Sequence, residues 1–130
     1  MSAHYLGIRA VKGYALNNTV NELNFVAEYR YCGEPKEDTL YYWFIENPNV
    51  TADSEDYTAE GGLGWKQLNS TSSAIIALDK SKCPAQRNKI KCVSINEQNK
   101  TTKEFVVENE NSLYSISIAR DDLKLICSTG

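Results

Sequence analysis

Hydrophobic and polar residues alternate with a period of two along most of this chain. Leu6, Ile8 and Ala10 alternate with Gly7, Arg9 and Val11. Leu23, Phe25, Ala27, Tyr29 and Tyr31 alternate with Asn24, Val26, Glu28, Arg30 and Cys32. Successive side chains of a strand point to opposite faces, so each run predicts a strand with one buried face. The segment Leu40-Tyr41-Tyr42-Trp43-Phe44-Ile45 is continuously apolar, which suits a strand covered on both faces. Further strands are predicted over 73–78, 89–95, 104–108, 113–119 and 123–128, the last two joined by a tight turn at Arg120-Asp121-Asp122. Between them lie the turn signals Cys32-Gly33-Glu34-Pro35, Asn47-Pro48-Asn49, Gly61-Gly62 and Asn109–Ser112. No window carries a sustained helical stripe.

About eight short strands with polar turns predict a single antiparallel all-β domain over residues 1–130. Its architecture is either an up-and-down barrel or an immunoglobulin-like β-sandwich. Trp43 follows Cys32 by eleven residues, as in an immunoglobulin core. The parity argues otherwise: Cys32 shares its strand face with Arg30 and Glu28, opposite the apolar set.

Composition narrows the class. Hydrophobic residues make up 42% and charged residues 24% of the 130, ordinary globular values that exclude disorder. The net charge of −3 disfavours nucleic acid as a partner, and no run approaches the roughly 20 apolar residues of a membrane span. Twelve asparagines would give about one or two chance Asn-x-Ser/Thr triplets, yet four are present, at Asn17, Asn49, Asn69 and Asn99. With four cysteines beside them, they predict a secreted, extracellular glycoprotein. Met1–Tyr5 lacks the basic start and apolar run of a signal peptide, so this reading takes the sequence as a mature domain.

The four cysteines allow three pairings. Residues 82–92 read as a polar turn between two strands, which makes a Cys83–Cys92 bridge geometrically cheap and leaves Cys32–Cys127. The latter would close a long loop and contribute on the order of 4 kcal/mol. The alternative is four reduced, buried thiols.

The stretch Ser115-Ile116-Ser117-Ile118-Ala119-Arg120-Asp121-Asp122-Leu123-Lys124-Leu125-Ile126-Cys127 resembles the penultimate hairpin of secreted lipocalins. In salivary members from blood-feeding arthropods an acidic turn leads into a strand ending in cysteine, and the Cys83/Cys92 pair is similar to a pair in those proteins. The resemblance covers about the last third of the chain. It implies a lipocalin-like barrel that carries or scavenges a small hydrophobic or amine ligand.

Candidate chemistry is sparse. His4 is the sole histidine and lies near a terminus, so a histidine-dependent triad has no support. No glycine-rich nucleotide loop is present, and neither C-x-x-C spacing nor a histidine cluster suggests zinc. The expectation is a non-enzymatic protein without catalytic residues, cofactor or metal. Two features point to binding. Tyr29, Tyr31, Tyr42 and Trp43 would line an apolar pocket with hydroxyl handles if the fold is an open barrel. Residues 46–64 form a long acidic loop, ENPNVTADSEDYTAEGGLG, without a basic residue. Within it Asp53, Glu55, Asp56 and Tyr57 would meet a cationic ligand or a basic partner surface. The partner is therefore a small molecule or, alternatively, an extracellular protein recognised by an immunoglobulin-like ectodomain.

Overall fold

The computed structural model describes residues 4–10, 22–97, 99–111 and 113–117. Asn17, Cys127 and the expected turn and strand over 120–128 lie outside the described residues.

The period-two runs form strands where expected. One sheet holds β1 (His4–Ala10), β2 (Glu22–Tyr31), the two-residue β3 (Glu34–Pro35) and β6 (Ile75–Asp79). The other holds β4 (Leu40–Glu46), β5 (Trp65–Gln67), β7 (Arg87–Asn96), β8 (Asn99–Glu110) and β9 (Leu113–Ser117), in the order β5-β4-β7-β8-β9. Every pairing among the described residues is antiparallel.

The sheets do not close into a barrel among the described residues. An up-and-down barrel pairs each strand with its sequence neighbours. Here β2 pairs with β6 and β4 with β7, so the chain crosses between sheets three times, after β3, after β5 and after β6. The second crossing is held by Trp43. Its carbonyl accepts from the Leu68 amide at 2.7 Å, and its amide donates to Asn69 Oδ1 at 3.1 Å. Its indole Nε1 donates to the Ser73 carbonyl at 3.0 Å. Residues 68–73 thereby run beside β4 before the Ala27 amide, donating to the Ala74 carbonyl at 2.8 Å, draws the chain beside β2.

The inward faces of both sheets share one core. Leu6, Ile8, Leu23, Phe25, Ala27, Ile76 and Leu78 come from the first sheet. Trp43, Ile90, Cys92, Phe105 and Val107 come from the second. Phe25 and Phe105 lie 4.8 Å apart between ring centroids, and Trp43 meets the edge of Phe105 at 6.4 Å and 81°. Burial of each such side chain is worth roughly 1.5–3 kcal/mol. Polar residues on the inward face of β7 are buried with partners. The Asn88 amide donates to the Val107 and Ala85 carbonyls at 3.0 and 2.8 Å and accepts from the Ala85 amide. Asn96 donates to Thr39 Oγ1 at 3.1 Å.

This strand corrects the reading of 82–92 as a turn. Residues 87–96 are one continuous strand, with Arg87 and Lys89 outward and Asn88, Ile90 and Cys92 inward. Cys83 sits beside Asn88, whose Nδ2 lies 3.4 Å from the Cys83 carbonyl, whereas Cys92 is four residues further along the same face. That separation is roughly 13 Å by strand rise, beyond the reach of a disulfide. Among the described residues Cys32, Cys83 and Cys92 are free thiols. Burial pushes the Cys83 thiol up to about 11 and the Cys92 thiol further still.

Candidate functional site

The second face of β4 builds the most distinctive surface. Trp43 faces the inter-sheet core, so Phe44 must face outward, yet it is fully buried. The cover is the 47–64 loop. Its base is closed by the Asn47 amide donating to Gly64 O and the Gly64 amide donating to Val50 O, both at 2.8 Å. Inside it, turn bonds run from the Ser54 amide to Thr51 O, from Tyr57 to Ser54 O and from Gly62 to Thr58 O. Ser54 Oγ also accepts from the Thr51 amide. Val50 is buried, and Gly61 packs so closely on Phe44 that an added Cβ would lie 2.5 Å from its ring.

Lys91 fastens the loop from below. Its Nζ donates to the Gly61 carbonyl at 2.8 Å, 4.3 Å from the Trp65 ring centroid and 5.7 Å from that of Phe44. Burial in this cage, with Lys100 nearby, holds the ammonium pKa below its ordinary value. The anchors therefore point inward and leave the acidic side chains outside. Asp53, Glu55 and Asp56 are exposed, and so are Tyr57 at 40% and Leu63 at 66%. Among the described residues, no group of three His, Cys, Asp or Glu side chains is placed to hold a metal ion.

Asp53, Glu55, Asp56 and Tyr57 are each exposed on the 47–64 loop. The structure does not bring together Tyr29, Tyr31, Tyr42 and Trp43. Tyr29 and Trp43 are core residues, and Tyr42 lies on the opposite face of β4 from Trp43. The Tyr29 hydroxyl contacts His4 Nδ1, and its amide donates to Tyr41 Oη at 3.3 Å. Burial raises the pKa of both tyrosines. Tyr31 lines a polar cleft of about 270 Å³ with His4, Lys36 and Asn99.

The sequons also divide. Asn49 is exposed at the loop base, whereas Asn69 and Asn99 are half-buried. Asn69 is occupied structurally: Oδ1 accepts from the Trp43 amide and Nδ2 donates to the Thr71 carbonyl. Sequence reasoning missed Phe44, Val50, Gly61, Trp65 and Lys91 as the loop's anchors. The signal was present in Phe44, adjacent to Trp43 and therefore on the other face. Among the described residues no helix is long and apolar enough to cross a membrane. No protein-family model matches this chain, and neither a curated protein nor a solved structure matches it.

Proposed function

We propose that this chain is a non-enzymatic recognition module, built as a β-sandwich, that docks on a basic face of another extracellular protein through its 47–64 loop. The crossovers β2–β6 and β4–β7 favour a sandwich over a meander barrel. A carrier barrel keeps its ligand in the interior, and here Trp43, Phe25 and Phe105 occupy the space between the sheets.

The observation that carries the reading is the loop itself. Sequence alone permits a flexible acidic tether. The folded loop is hydrogen-bonded across its base and packed on Phe44, so little ordering entropy remains to be lost on binding. Three carboxylates with no basic residue beside them would steer a cationic surface, and Tyr57 and Leu63 supply the apolar contact that electrostatics alone lacks. A glycan on exposed Asn49 would stand at the base of the loop.

The test is capture from an extracellular fluid with zero-length acid–amine cross-linking. Asp53→Asn/Glu55→Gln/Asp56→Asn should lose the partner that wild type captures. A matched control, Glu34→Gln/Glu37→Gln/Asp38→Asn, should retain it. Equal capture by both variants, or cross-links that map away from 53–57, would reject the reading.

A further inference from the structure

A groove of about 340 Å³ opens between the β4–β5 end and the segment that follows β6. Its size falls at the lower end of small-molecule sites. The floor is apolar, formed by Ile45 and Leu68, both packed against the core. The far wall is fixed before any ligand arrives. Asp79 accepts from the Ser81 amide at 2.8 Å and caps the short 3-10 turn Lys80–Lys82. Asn88 then holds Ala85 through both its amide and its carbonyl.

Two lysines face this space. Lys66 pairs with Ile45 in the β4–β5 register, which puts it on the inward side of an edge strand, where the fold elsewhere places apolar residues. Lys82, in the 3-10 turn that follows β6, lines the same groove. Neither lies within 4.0 Å of a carboxylate among the described residues, although Lys82 is near enough to Asp79 to join the Ser81 hydrogen bonds in lowering that carboxyl's pKa. Glu46, the one carboxylate in the lining, is turned toward Lys89 at 4.0 Å. The groove therefore combines an apolar floor with two ammonium groups, on a molecule whose net charge is negative.

We propose that this groove binds a small organic anion with a short apolar chain, its head between Lys66 and Lys82 and its chain over Ile45 and Leu68. The sequence points to a small hydrophobic or amine ligand, and this chemistry is opposite in charge to the amine. The site is independent of the docking surface, whose carboxylates Asp53, Glu55 and Asp56 do not line the groove. A lysine facing inward on an edge strand also discourages strand pairing between molecules, and if that were its whole role no ligand would bind.

The experiment is a titration of the ¹⁵N-labelled full chain with hexanoate, hexanol and hexylamine, followed by amide chemical shifts. Hexanoate should give saturable shifts confined to residues 45, 66–68 and 81–88, with affinity about five-fold or more above hexanol and no response to hexylamine. Lys66→Gln and Lys82→Gln are exposed substitutions that leave the rest of the spectrum in place. Each should weaken hexanoate by about three- to five-fold while sparing hexanol. The triple acidic-loop variant should bind hexanoate as wild type does, which separates this site from the docking surface. Absent or scattered shifts, equal binding of hexanol, or indifference to both lysine variants would overturn the proposal.

Discussion

Gly61→Ala tests whether the acidic loop is a docked layer or a tether. In an unconstrained loop this change lowers the entropy of the unfolded chain and stabilises by roughly 0.4–1 kcal/mol. Gly61 is not among the residues with positive φ, so backbone strain does not oppose the change. Packing does. The new Cβ would stand 2.5 Å from Phe44 Cε1, 2.7 Å from Phe44 Cδ1 and 3.0 Å from Thr58 Oγ1. The Phe44 ring is fully buried and cannot swing away, so the loop must lift. Overpacking of this kind costs about 1–3 kcal/mol, leaving a net loss of about 1.3 kcal/mol at the middle of both ranges and about 2.6 kcal/mol at most. Thermal melts should show Tm falling by roughly 3–8 °C. Limited proteolysis should cut within 51–60 faster than in wild type. Adding Phe44→Leu removes the ring that clashes, so the double mutant should lose less than the sum of the single changes. A rise in Tm on Gly61→Ala would show that the loop does not rest on Phe44, and the preorganised docking surface would fall with it.

Other substitutions probe the frame beneath that surface. Asn69→Ala removes the acceptor for the Trp43 amide at the crossing between sheets and should cost about 1–3 kcal/mol in denaturant unfolding; no change would mean that Asn69 does not hold the crossing. Cys32 (φ 50°) and Gly33 (φ 83°) occupy a two-residue turn between Tyr31 and Glu34, a conformation that Asn-Gly favours. Cys32→Asn should therefore stabilise by a few tenths to about 1 kcal/mol, whereas a loss of several kcal/mol would reveal a Cys32–Cys127 bridge. Thiol reagent at pH 8 should leave Cys83 and Cys92 unmodified in the native protein and label both after denaturation; two residues silent in denaturant would instead be disulfide-bonded. The same thiols set an alkaline limit. Their folded pKa values are raised above the ordinary value of 9.0, so their contribution is complete below about pH 9 and falls as pH climbs toward 11. The urea midpoint should drop between pH 8 and 10.5, and a flat profile would contradict the burial of both groups.

Much of the frame was legible because a strand with one buried face must alternate. β2 does so without a break from Leu23 to Tyr29, and β6 repeats the pattern with Ile76 and Leu78 inward. What escaped notice was strand structure with polar inward positions. Asn88 and Asn96 sit where apolar residues would announce a strand, and their partners, Val107 and Thr39, are far away in sequence. Three-residue β5 carries too little pattern to stand out, and the Asn69 side chain replaces a backbone carbonyl, which no periodicity records.

The surface that matters most was half legible. A strand with Trp43 and Phe44 in succession must bury both faces, and a second sheet covers only one of them. Something else must lie over Phe44. The segment that follows β4 in sequence is the long acidic loop, in which Gly61 packs on the ring and Val50 is buried. The acidic residues then have only the outer side left to occupy. Their common exposure thus follows from the requirement that buried Phe44 imposes on its neighbours. It does not depend on any attraction or repulsion among the carboxylates themselves. For that reason the Phe44 contact, rather than the charge count of the loop, decides whether 53–57 is presented as one surface.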